Sequence, residues 1–137
     1  MVYQNNRKLN PEIRKYGCFM FALLYAVQIH VKKVLLINDI IFLYEKFIEL
    51  EYMNCNCYIL DYAGILNYTL KYFKSPDRAK MLISKENCDF MIRKIKTGNV
   101  SSHFILADKY GDEFIDSLQG EGYVDYGRKD HRFIKII

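Results

Sequence analysis

Tyr16-Gly17-Cys18-Phe19-Met20-Phe21-Ala22-Leu23-Leu24-Tyr25-Ala26-Val27 is the stretch that decides how this chain folds. From Phe19 to Val27 it is apolar on every face of a helix, and the apolar character extends to Val31. A helix of that kind is buried all round, which makes it the central helix of its domain. Gly17 permits a close approach of the backbone just ahead of the helix, which opens at Cys18. A thiol placed there meets unpaired N–H groups and the positive end of the helix dipole, both of which favour the reactive thiolate.

Working outward, residues 1–15 are polar, with Asn5-Asn6 and Asn10-Pro11 and few apolar anchors, and read as an irregular lead-in. A second helix starts near Asn38 or Asp39, either of which can cap it, and runs to about Glu51. Its Ile40, Leu43, Phe47 and Leu50 keep helical spacing, while Glu45, Lys46 and Glu49 form the wet side. A third helix opens at Asp61 and runs through Tyr72 until Ser75-Pro76 stops it. Beyond Pro76 the pattern changes to strands. Met81 to Ile83 is a short one, and Phe90 to Lys96 fits either a helical face or a strand. A strand is favoured because Thr97-Gly98-Asn99 is hairpin chemistry leading into Val100 to Asp108. The turn Tyr110-Gly111-Asp112 leads into Glu113 to Leu118, Gln119 to Asp130 is loop-like, and Phe133 to Ile137 is a last strand. Helices first and strands afterwards predict a single α+β domain with a mainly antiparallel sheet.

The bulk composition agrees with one globular domain: 137 residues, 51% hydrophobic and 26% charged. The net charge of +4 is mild, and its Lys and Arg are spread in ones and twos, so no nucleic-acid partner is expected. The apolar run is too short to span a bilayer, and Gln28, His30, Lys32 and Lys33 follow where a signal peptide would be cleaved. No membrane partner is therefore expected. Cys18, Cys55, Cys57 and Cys88 do not describe a disulfide framework, so the expected location is the reducing cytoplasm. Cys55-x-Cys57 lacks the two-residue gap of a zinc site, and no nucleotide or zinc-protease motif is present, so no metal or cofactor is expected.

Far downstream of Cys18, His103 stands on the predicted strand Ser102 to Leu106, and Asp116 lies on the adjoining one. A thiol nucleophile needs a base, and the base needs an orienting carboxylate, which makes Cys18, His103 and Asp116 a candidate triad. Across a hairpin with a two- or four-residue loop, paired residue numbers have an odd sum, which puts His103 and Asp116 on one side of the sheet. A three-residue loop or a bulge breaks that inference. Each residue also has a plainer reading. Cys18 suits a buried core, His103 a satisfied histidine on an apolar strand, and Asp116 a strand-end carboxylate bonded to backbone. His30, late on the first helix, and His131, before the last strand, read as solvent-facing and loop residues, and Tyr62, Tyr68 and Tyr72 as packing.

Tyr16-Gly17-Cys18-Phe19-Met20, His103-Phe104-Ile105-Leu106-Ala107 and Phe114-Ile115-Asp116-Ser117-Leu118 together resemble papain-like cysteine peptidases. They are most similar to the small bacterial and phage group related to the bacteriocin-processing double-glycine peptidases. The chain as a whole also resembles an uncharacterised family of plasmid-borne Borrelia proteins. The resemblance implies a papain-like fold, with Cys18 as nucleophile, His103 as general base and acid, and Asp116 as orienter. Papain-like enzymes usually carry a glutamine several residues before the cysteine. Glu12 and Ile13 stand in that region here, which leaves Asn10 and Gln4 as the oxyanion candidates and Tyr16, Gly17 and Ser102 as candidates for the substrate cleft. The expected function is a thiol hydrolase or acyltransferase acting on a peptide or protein. A catalytically silent domain that binds a peptide or protein in the same cleft, and a structural or plasmid accessory protein, are the other classes that fit. Substrate and oligomeric state are not fixed by these residues.

Overall fold

The computed structural model describes residues 1–97, 101–115, 117, 124–125 and 131–137. Among these residues four helices precede six strands: α1 (Pro11–Tyr16), α2 (Cys18–Val31), α3 (Ile37–Glu49), α4 (Tyr62–Tyr72), β1 (Ala79–Leu82), β2 (Phe90–Thr97), β3 (Ser101–Asp108), β4 (Glu113–Ile115), β5 (Val124–Asp125) and β6 (Arg132–Ile136). The α+β class expected from the sequence holds, and every described strand pairing is antiparallel. Among the described residues no helix is long and apolar enough to cross a membrane.

α2 begins at Cys18, and every residue from Phe19 to Gln28 is buried. Fully burying one large apolar side chain contributes about 1.5–3 kcal/mol, so this helix organises the core. Gln28 anchors its far end. Its Oε1 accepts from the Leu35 N–H at 2.8 Å and its Nε2 donates to the Leu24 carbonyl at 3.2 Å, while Lys32 ends the helix in a left-handed conformation (φ 58°). α3 starts at Ile37, a little before Asn38. Asp39 does not precede the helix as a cap but reaches back from its first turn to the Leu36 N–H at 2.7 Å. α4 is capped as expected, with the Asp61 carboxylate accepting from the Gly64 N–H at 2.8 Å.

The lead-in expected over residues 1–15 contains α1. Asn10 accepts from the Ile13 N–H at 2.9 Å, Pro11 occupies the first turn, and the buried Ile13 anchors the helix to the core. Gly17 joins α1 to α2. A Cβ at this position would lie 2.5 Å from the Ile13 carbonyl oxygen, so only glycine fits the junction.

The sheet runs β1-β6-β2-β3-β4, and β5, which falls in a segment expected to be loop, pairs with β2 beyond β6. β2 and β3 pair without interruption from Phe90–Asp108 to Thr97–Ser101. Side chains alternate faces along such a ladder. Phe90 and Ile92 of β2, Leu106 and Phe104 of β3, and Ile134 of β6 join the main core around α2. Met91, Ala107 and Phe133 form a separate cluster with Cys88 on the opposite face. Asn67 of α4 holds the outer edge strand, donating to the Ala79 carbonyl at 2.9 Å and accepting from its N–H at 2.8 Å.

Candidate functional site at the start of the central helix

Cys18 is half-buried and lines an open cavity of about 410 Å³. The cavity lies where the first turn of α2 meets the 56–59 segment, the start of α4 and the sheet. Its walls are Tyr16, Phe19, Asn56, Cys57, Tyr58, Ile59, Tyr62 and Phe104, and Arg132 completes the lining. Phe19 builds much of the aromatic wall. It stacks on Tyr62 with ring centroids 5.0 Å apart and meets Phe104 at 4.5 Å, joining α2 to α4 and to the sheet. No side chain caps α2.

Cys57 is buried in a left-handed conformation (φ 63°). Burial, with Cys18, Glu12 and Cys55 nearby, pushes its thiol up to about 12. It is a neutral wall of the cavity across the physiological range. Cys55 is exposed beside it, while Cys88 belongs to the cluster on the far face of the sheet. Among the described residues no group of three or more His, Cys, Asp or Glu is placed to hold a metal ion.

Among the described residues, the candidate base His103 does not line the Cys18 cavity. His103 of β3 is buried and pairs with Ile95 of β2, but the ladder turns it to the face opposite Phe104 and Leu106. Phe104 therefore lines the Cys18 cavity and His103 does not. Asp116 lies outside the described residues. A bulge interrupts β3 and β4 between Leu106 and Ala107. A bulge is the condition that breaks the hairpin argument for His103 and Asp116, so that argument does not carry over. Ser102 pairs with Lys96 on β3.

Neither Gln4 nor Asn10 is among the residues that line the Cys18 cavity. Gln4 is buried, with its Nε2 donating to the Arg14 carbonyl at 3.1 Å and its Oε1 accepting from the Ser117 hydroxyl at 2.6 Å; it fastens the N-terminus to α1 and to the end of the sheet. Asn10 uses its side-chain oxygen to cap α1. Tyr16 lines the cavity, and Gly17 joins α1 to α2 next to Cys18.

Tyr58, Tyr62, Phe104 and Arg132 are cavity residues that the sequence reading did not name as site residues. Tyr62 stood among the packing tyrosines; it does pack, and its ring is also exposed to the cavity through its contact with Phe19. Arg132 reaches the site because it pairs with Ile92 on the α2 face of β6, and no local sequence signal marks that pairing. The two remaining histidines lie elsewhere. His30 Nε2 meets Asp77 Oδ2 at 2.7 Å instead of facing solvent alone, and His131 lines a second cavity with Met91 and Phe133.

No curated protein and no solved structure matches the chain, so the papain-like resemblance finds no counterpart there. The sequence model of a family described as proteins of unknown function, DUF261, matches residues 1–134, and the chain belongs to that family.

Proposed function

We propose that the protein binds a peptide or protein segment in the aromatic cavity beside Cys18, and that it is a papain-like domain used for recognition. The observation that carries this reading is the opposite facing of Phe104 and His103. The sheet lends the cavity an aromatic ring and a guanidinium, while the buried imidazole lies on its other side. A thiol with no neighbouring base among the lining residues is a contact group before it is a nucleophile. Disulfide exchange tests the proposal. Small disulfides carrying aromatic dipeptides are expected to form mixed disulfides at Cys18 in preference to aliphatic ones of equal size, with no such preference at exposed Cys55. Equal capture at both cysteines would contradict a recognition cavity.

A second reading, the thiol hydrolase, draws support from the place of Cys18 as the first residue of α2, a helix with no side-chain cap that is buried from Phe19 to Gln28. In that reading Cys18 attacks the carbonyl, the first-turn N–H groups of α2 hold the oxyanion, and His103 and Asp116 keep the roles that the resemblance implies. It requires His103 to reach Cys18, and labelling of Cys18 in a His103 variant separates the two readings.

A further inference from the structure

We infer that the Cys18 cavity selects a carboxylate-bearing peptide, with Arg132 as the residue that holds the carboxylate; this rests on the recognition reading above. Arg132 is the charged residue in a lining otherwise made of neutral groups. Its Nη1 donates to the His131 carbonyl at 3.1 Å, and among the described residues no carboxylate pairs with it. It is half-buried on the α2 face of β6, opposite Ile92 and on the same side of the sheet as Phe104. A guanidinium in that position has lost part of its hydration and keeps most of its fork of donors unused. A carboxylate matches that fork with two parallel hydrogen bonds.

The neighbours favour a peptide over a small inorganic anion. Phe19 and Tyr62 form a stacked apolar wall, and Tyr58 is 66% exposed at the rim, so an aromatic or aliphatic side chain can lie against the rings while its carboxylate meets Arg132. Asn56 adds an amide for the backbone of such a ligand. Glu12 is close enough to act on Cys57 but does not line the cavity, which leaves Arg132 as the cation on its described wall.

Cys18 reports on this site directly, because iodoacetate and iodoacetamide have nearly the same size and differ in charge. At neutral pH and low salt, the iodoacetate-to-iodoacetamide rate ratio at Cys18 is expected to exceed the same ratio at Cys55 by about tenfold, the usual scale of one charge-assisted bond. Added salt and Arg132→Gln should each remove that excess, and Arg132→Lys should retain part of it. Acetyl-Tyr-Phe as the free acid, its amide, and acetyl-Glu-Phe-amide then serve as protectants against iodoacetamide. Protection by the free acid alone assigns the site to a terminal carboxylate, and protection by the Glu peptide assigns it to an acidic side chain. Equal ratios at Cys18 and Cys55, with iodoacetamide labelling intact, would overturn the inference and leave the cavity standing. An anion preference without protection by either peptide would overturn its peptide part. Failure of both reagents to label Cys18 would overturn the recognition reading itself. The salt dependence is measured in the unmodified protein and stands even if a variant does not fold.

Discussion

The two faces of β3 are both buried, yet they belong to different parts of the molecule. Phe104 and Leu106 pack into the core around α2, and Phe104 forms part of the Cys18 cavity. His103, Ile105 and Ala107 point the other way, where Ala107 joins Cys88, Met91 and Phe133. Burial alone does not distinguish these faces; the one-residue alternation of the strand does. The order Cys, His, Asp along a chain thus restricts which elements carry the residues and leaves open which side of the sheet each one occupies.

If the α2 face is the structural centre, truncating it should cost most. Leu106→Ala is expected to lower stability by about 3 kcal/mol in urea unfolding, and Met91→Ala on the other face by less, because its cluster is smaller. Equal or reversed losses would break the distinction between the faces. Gly17→Ala should cost about 2 kcal/mol, since the Ile13 carbonyl stands 2.5 Å from the new Cβ and is backbone, and should also alter labelling of the adjacent Cys18. Gln28→Ala removes the acceptor for the buried Leu35 N–H and should cost about 1–2 kcal/mol without changing Cys18 reactivity.

A further effect appears only at alkaline pH. Burial raises the Cys57 thiol from 9.0 to about 12, so the folded state keeps its proton where the unfolded chain gives it up. Its contribution is fully present below pH 9.0 and is lost as pH rises towards about 12. Cys57→Ala should flatten that part of a stability-against-pH curve, and an unchanged slope would show that Cys57 is not the group responsible.

Much of the fold was legible because its signals are local. The unbroken apolar run after Gly17 marked α2, Asp61 marked the start of α4, and the hairpin residues after Phe90 settled β2 as a strand. α1 was missed although Asn10-Pro11 is a start signal, because six residues with one buried anchor, Ile13, show no periodicity. The site was less legible. Cys18 and Tyr16 were found from their place at the helix mouth, whereas Arg132 reaches the cavity only through the pairing of β6 with β2, a long-range fact. Gln4 carried the right functional group for an oxyanion role, but its partners Arg14 and Ser117 are set by tertiary structure. The alternation that turns His103 from Cys18 was available in principle. Applying it required knowing which face α2 covers.

The measurement that bears most directly on this account is the pH dependence of iodoacetamide alkylation at Cys18, read by peptide mass spectrometry in the unmodified protein and in His103→Ala, with circular dichroism confirming that the variant folds. With His103 on the opposite face of the sheet, the two Cys18 profiles should coincide. Fast labelling of Cys18 well below pH ~8.5 that is lost in the variant would contradict the account and establish a Cys-His pair.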